Sequence, residues 1–162
     1  MIRPTLPQDL EPIRAFWNPM IRDTLVTFSS EEKTETGLRD WFAARQAAGH
    51  GCFTAHLAGK PVGFASYTQF RGGNGYARSM EHTIILAPAA QDHGFGRALM
   101  AAVEDHARAA GHHVMMAGVS GGNPAGRDFH LALGYRLVGT LPDAGWKFGR
   151  YHDLWLLQKI LT

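Results

Sequence analysis

The segment Ile84-Ile85-Leu86-Ala87-Pro88-Ala89-Ala90-Gln91-Asp92-His93-Gly94-Phe95-Gly96-Arg97 constrains this chain more than any other. An apolar run of strand type stops at Ala-Pro, a short polar loop follows, and a long amphipathic helix starts at two glycines spaced by one residue. A helix start presents N–H groups with no intrahelical acceptor, and the helix dipole adds positive potential, so this junction suits a pyrophosphate. Gly94 and Gly96 have no Cβ to hold an anion away from the main chain, and Arg97 can add a charge-assisted contact. A loop that merely turns into a helix is the simpler reading of two glycines alone. Two familiar phosphate sites are excluded. No Lys-Ser/Thr follows Gly96, as a Walker cradle requires, and the third glycine and acidic strand end of a dinucleotide fingerprint are missing.

The surrounding elements follow from periodicity. Leu10, Ile13, Phe16 and Trp17 share one helical face behind Asp9, a candidate cap, and Pro19 is expected to end that helix. A second helix is expected over Thr36–Ala48. Cys52–Leu57 and Val62–Thr68 flank Ala58-Gly59-Lys60-Pro61 as a hairpin. Phe70–Gly75 reads as a loop and Met80–Leu86 as a strand. Phe95–Ala110 is the clearest helix, and Val114–Val119 is a strand apolar on both faces. Asn123-Pro124 opens a short helix closed by Gly134, and two strands follow near Tyr135–Thr140 and Asp153–Ile160. This order predicts an α+β sandwich around one mixed sheet. The chain is 162 residues long, 45% hydrophobic and 19% charged, enough for one domain spanning 1–162 with a real core. A net charge of +2 with scattered basic residues argues against a nucleic-acid partner. The absence of a signal-like or spanning apolar run, with a single cysteine, predicts a soluble cytoplasmic protein without a membrane partner.

Gln91-x-x-Gly94-x-Gly96 after a strand ending in Ala-Pro resembles the acetyl-CoA loop of the GNAT acetyltransferase superfamily, and Asn123 followed by Leu133-Gly134-Tyr135 resembles its next block. Within it, the chain is similar to the phosphinothricin and methionine sulfone/sulfoximine acetyltransferases at Trp17-Asn18, Trp41-Phe42-x-x-Arg45, Phe64-Ala65-Ser66-Tyr67, Glu81-His82, His113 to Gly118 and Gly145-x-Lys147-Phe148-Gly149-Arg150. That resemblance implies an α/β/α sandwich around a central mixed, mostly antiparallel, seven-stranded sheet splayed between two central strands. It implies acetyl-CoA as co-substrate and a small amino-acid-like amine as acceptor.

Acetyl transfer from a thioester to an ammonium needs a base, a stabilised oxyanion and a proton for the leaving thiolate. Glu81 matches the group's acidic position and is the expected base, acting directly or through water; as a plain strand-end carboxylate it would do neither. Backbone N–H groups of Ile84, Ile85 and Leu86 are expected to stabilise the oxyanion. Asp92, His93, Gly94, Phe95, Gly96 and Arg97 are expected to hold the pyrophosphate. Asn123 is expected at the pantetheine arm, or as a helix cap, or both. His130 stands where many relatives carry a tyrosine acid, so it is a candidate general acid and otherwise a packed histidine. Gly126 stands where the group usually carries serine. Arg71, Asn74, Gly75, Tyr76 and Arg78 match the acceptor-binding loop, unevenly, and Phe28 is a candidate pocket wall.

The nine histidines form no metal set: His112 and His113 point to opposite faces, and Glu81-His82 lacks a zincin's second histidine. No metal is therefore expected. Trp155, Leu156 and Leu157 place apolar residues on both faces of the last strand, which, with the habit of the family, suggests a homodimer. A protein or peptide N-acetyltransferase and a non-catalytic CoA-binding module are the alternatives to small-molecule acetylation.

Overall fold

The computed structural model describes residues 1–162. Strand β1 (Ile2–Pro4) leads into helices α1 (Leu10–Asp23) and α2 (Glu35–Ala47). Strands β2 (Cys52–Leu57), β3 (Lys60–Gln69) and β4 (Ser79–Leu86) form a meander, followed by helix α3 (Phe95–Ala109) and strand β5 (Val114–Ser120). Helix α4 (Pro124–Ala132) and the hairpin of β6 (Arg136–Lys147) and β7 (Arg150–Ile160) complete the chain. The seven strands make one sheet ordered β1-β2-β3-β4-β5-β7-β6, and every pairing is antiparallel except β4–β5.

That one parallel pair decides the architecture. β4 and β5 are in register only at Ser79–Val114, Met80–Met115 and Glu81–Met116. Beyond Glu81 the strands part, although β4 runs on to Leu86 and β5 to Ser120. The sheet is thus a fork. Each prong stays bonded on its outer edge, β4 to β3 as far as Leu86 and β5 to β7 as far as Ser120.

Two cores lie on opposite faces. Met80, Leu99, Met100, Val103, Met115 and Leu157 pack beneath α3. Leu10, Ile13, Trp17, Leu38, Phe42, Phe64 and Ile85 pack beneath α1 and α2, where Trp17, Trp41 and Phe64 form an edge-on aromatic cluster. The alternation of strand side chains therefore sends Ile85 to one face and Ile84 and Leu86 to the other.

Several local expectations change. Helix α1 runs through Pro19 to Asp23 rather than stopping before it, because burial of Leu10, Ile13, Trp17 and Ile21 on one face outweighs the single backbone bond that proline removes. Asp9 does not cap α1. It is buried, accepts from both Arg3 nitrogens at 2.8 and 2.9 Å and contacts His56 Nε2 at 3.2 Å, tying the first strand to the second. Thr34 is the working cap of α2, its Oγ1 accepting from Gly37 N–H. The last two strands extend beyond Thr140 and begin before Asp153, turning at Phe148 and Gly149 with φ of 55° and 72°.

A buried carboxylate joins α3 to the C-terminal hairpin. Glu104 accepts from Lys159 Nζ at 2.7 Å and from Tyr135 Oη at 3.1 Å. Burial and the adjacent Glu104 charge both push the Tyr135 phenol far up, so it stays a donor. Replacing Glu104 by alanine leaves the Tyr135 phenol without its acceptor and the Lys159 ammonium with only the Leu133 carbonyl, at 2.9 Å, and is expected to lower unfolding free energy by about 3 kcal/mol in urea titration. A loss below about 1 kcal/mol would show that water replaces the carboxylate there.

Candidate active site

The fork opens into a cleft of about 670 Å³. The inner edge of β4, the end of β5, the start of α4 and the segment between α1 and α2 line it. Its polar character on the β4 side follows from strand geometry. Ala87 N–H bonds to β3 and Ser79 O accepts from Phe70, so odd-numbered residues of β4 turn their peptide groups to β3. Arg78 O accepts from His113 and Val114, so even-numbered ones face β5. Past Glu81 there is no β5 to meet them, and the N–H groups of Ile84 and Leu86 point into the open fork. The N–H of Ile85 faces β3, and its side chain belongs to the core under α1 and α2.

At the wide end, the first bond of α3 runs from Ala98 N–H to Gly94 O, leaving Phe95, Gly96 and Arg97 N–H without acceptors in the chain. The two glycines there serve different purposes. Gly94 is exposed, has φ of 72°, and a Cβ on it would touch nothing within 4 Å. Gly96 is buried, and its Cβ would lie 3.0 Å from the Phe129 ring and 3.3 Å from Leu86. Gly94 is needed for the left-handed turn and the open approach, and Gly96 for close packing of α3 against α4 and β4. Asp92 is also left-handed (φ 63°) and exposed; its peptide, not its carboxylate, suits an anion. His93 packs against Phe95, ring centroids 5.6 Å apart, and Arg97 is exposed beside them.

On the far side of the cleft Asn123 Oδ1 caps α4 by accepting from Gly126 N–H at 3.1 Å, leaving its Nδ2 unbonded. A Cβ on residue 126 would run into that amide nitrogen, so a larger residue here would have to turn the Asn123 amide. Gly126 O in turn lies 2.6 Å from His130 Nδ1. A carbonyl only accepts, so that nitrogen carries the proton and His130 Nε2 is left as a lone pair. It lies 3.0 Å from His82 Nε2, which therefore donates, and His82 Nδ1 ends as a buried acceptor with no partner. The rings are stacked, centroids 4.9 Å apart. Burial, reinforced by His130, holds His82 down at about 3, and burial lowers His130 as well, so both are neutral near pH 7. Sequence alone marked His82 only as a neighbour of Glu81. Its place in the site depends on α4 lying across the fork.

Glu81 sits at the crotch of the fork on the face opposite His82. It has no cation or hydrogen-bond partner, and burial raises its carboxyl above the usual range. Gly118 of β5 makes room for it, since a Cβ there would stand 3.1 Å from Glu81 Oε2. Phe28 lines the same side of the cleft with Val26, Thr27, Ser29 and Leu154. The loop carrying Arg71, Asn74, Gly75, Tyr76 and Arg78 does not reach the cleft of its own chain. It is exposed at the closed end of the fork, where Gln69 holds Arg71 O and Gly73 O, and no Arg or Lys lines the cleft. Phe129, Val26, Thr27 and Ser29 are site residues that no sequence motif marked, because packing rather than chemistry puts them in the lining, and Gly118, which lay inside a matching motif, had no role until its contact with Glu81 was seen. No group of His, Cys, Asp or Glu side chains is arranged to hold a metal, and no helix is long and apolar enough to cross a membrane.

Replacing Gly94 by alanine is expected to strain the turn by about 1 kcal/mol. It should weaken acetyl-CoA binding by roughly tenfold in calorimetry, about 1.4 kcal/mol, with the far-UV spectrum unchanged. Gly96→Val is expected to lose affinity by displacing Phe129. Unaltered affinity in both variants would remove the loop from the cofactor site.

Residues 15–135 match the Acetyltransferase (GNAT) family. The chain is 31% identical to an L-methionine sulfoximine/L-methionine sulfone acetyltransferase of Salmonella typhimurium, over 93% of this chain and 88% of that protein. Its fold superposes on a phosphinothricin acetyltransferase of Sinorhizobium meliloti solved with acetyl-CoA, with a TM-score of 0.94, 26% identity, and coverage of 99% and 87%. It is also similar to a ribosomal-protein-alanine N-acetyltransferase of Brucella melitensis, with a TM-score of 0.95, 34% identity and 99% of both chains covered. The forked sheet, the free N–H groups at the start of α3 and these likenesses agree: the chain belongs to the GNAT family and is an acetyl-CoA-dependent N-acetyltransferase.

Proposed function

We propose that the enzyme acetylates the α-amine of a small amino-acid-like compound of the phosphinothricin or methionine sulfone and sulfoximine type. The observation that carries this reading is Glu81, a carboxylate held without a counter-charge inside a bounded cleft. Acetyl-CoA supplies an activated acyl group. The chain's own residues supply the rest. Phe95, Gly96 and Arg97 N–H groups hold the pyrophosphate, and the amide of Asn123 holds the pantetheine arm. Ile84 and Leu86 N–H groups donate to the negative charge that develops on the acyl oxygen. Glu81 takes the ammonium proton, directly or through one water, and its raised carboxyl makes it a better base than an exposed glutamate. His130, the expected acid, holds its only proton on Nδ1 against Gly126 O and accepts from His82 at Nε2, so the neutral ring has none to give and its part is to orient His82 and line the cleft. The departing sulfur instead takes the second proton that the acceptor nitrogen sheds as the amide forms.

Glu81→Gln is expected to lower kcat by roughly 10²–10⁴ with acetyl-CoA affinity unchanged. Wild-type kcat/KM rises with pH as Glu81 ionises, and the variant loses that limb. Stability moves the other way. Folding raises the Glu81 pKa, so its stabilising contribution is full in acid and is lost as pH rises through the raised value. The variant should therefore melt higher than wild type at pH 8 and about equally at pH 4. Full activity in Glu81→Gln would assign proton removal to another group.

The acceptor's carboxylate finds no cation in the cleft of one chain. Arg71 and Arg78 retain their assigned role in a homodimer whose 70–78 loop closes the partner's cleft. Exposed apolar surface for such a pairing lies on the β6–β7 hairpin, at Leu137, Val138, Trp146, Phe148 and Tyr151, whereas Leu157 is buried in the core. Light scattering should give twice the chain mass of 17.8 kDa. Mixing inactive Glu81→Gln with impaired Arg71→Ala subunits should restore activity, because one site then holds both native residues. A monomer, or no recovery on mixing, overturns the shared site. A reducing cytoplasm suits the one buried free thiol, Cys52.

Peptide N-acetylation is the second reading, favoured by the likeness to the Brucella enzyme. A screen of CoA release with methionine sulfone against an alanine-ended peptide separates the two.

A further inference from the structure

The acceptor side of the cleft is roofed by residues 26–29, in a segment that belongs to no helix or strand. Its own bonds are few: Val26 N–H to Thr24 Oγ1 and Ser29 N–H to Thr27 Oγ1, at 3.2 and 3.3 Å. What holds it comes from the opposite end of the chain. The buried Lys147 side chain donates from Nζ to Thr24 O at 2.6 Å and to Thr27 O at 2.7 Å. Two peptide oxygens on either side of Leu25 and Val26 are thereby gathered onto one ammonium, which bends the segment over the cleft. His152 Nε2 donates to Lys147 O at 2.8 Å, and its ring stacks on Phe28 with centroids 6.0 Å apart and planes 22° apart. Gly145 completes the clamp by omission, because a Cβ there would lie 2.5 Å from the Phe28 ring.

We propose that Lys147 is a positioning residue for the acceptor: by tying Thr24 and Thr27 together it sets the height of Phe28 above Glu81 and so governs which amines fit. The inference rests on the reading of this side of the cleft as the acceptor site. A buried ammonium bonded to carbonyls and no carboxylate is a costly way to join two elements, since burial lowers its pKa and only Asp23 opposes that. A packed methionine would serve a merely structural contact as well. The ammonium is explained by the need to fix two carbonyls at once.

The test is Lys147→Met, which keeps the stem and removes the donors, with Lys147→Gln as a second variant if the first does not fold. With methionine sulfone as acceptor, KM should rise roughly tenfold or more while kcat stays within about threefold and acetyl-CoA affinity is unchanged, the signature of lost acceptor binding. Hydrogen exchange of the acetyl-CoA-bound protein should speed up at 24–29 and stay the same in the β2–β4 meander, which reads the clamp without any acceptor. Unchanged acceptor KM in a folded variant overturns the inference, as does faster exchange throughout the molecule or none at 24–29. Wild-type protein that turns over no amino-acid analogue overturns the small-acceptor reading instead, and exchange confined to 24–29 would still establish the clamp.

Discussion

Everything in this molecule depends on a parallel strand pair that lasts three residues. Had β4 and β5 stayed in register beyond Glu81 and Met116, the sheet would be continuous and its interior sealed. Because they part, the inner edge of β4 keeps unpaired N–H groups, which would be a liability if buried dry. They are tolerable only because a ligand or water can enter the fork to meet them. The outer bonds to β3 and β7 keep each prong straight while the inner edges stand open.

The fork separates two chemistries on its two faces. On the α3 and α4 face, stacked neutral histidines pass a chain of hydrogen bonds from Gly126 O through His130 to His82 and end on a bare nitrogen. On the α1 and α2 face a single carboxylate waits without a counter-ion. Alternation along β4 makes this division, since adjacent residues 81 and 82 must point opposite ways. A protein that charged both faces would have to desolvate two ions in one cleft. Here only Glu81 is asked to ionise.

Small residues shape the cleft as much as polar ones. Gly96 admits the Phe129 ring, Gly118 admits the Glu81 carboxylate, Gly126 admits the Asn123 amide and Gly145 admits Phe28. At each of these the missing Cβ opens space for a neighbouring side chain rather than relieving backbone strain. Gly94 alone among the site glycines is required by its positive φ.

Residues close in sequence determined much of this by themselves. The strand–loop–helix with Gly94 and Gly96, the cap at Asn123, the long amphipathic α3 and the acidic residue at position 81 are local patterns, legible because hydrogen bonding and periodicity within a few residues dictate them. The family, the sheet class and the cofactor followed from that short-range information. Only the tertiary structure decided which neighbours those residues meet. The sequence showed His130 but not that it would lie 3.0 Å from His82, 48 positions away. It showed Lys147 within a motif but not that its ammonium would hold carbonyls at 24 and 27. It showed Pro19 as a helix breaker, and one buried face of α1 overruled it. It placed Arg71 and Arg78 with the acceptor, and the closed end of the fork keeps them out of their own chain's cleft. The reason is the same in each case: local bonding selects the elements, whereas contacts between distant elements come from burying their apolar faces together, and no window of adjacent residues records that outcome.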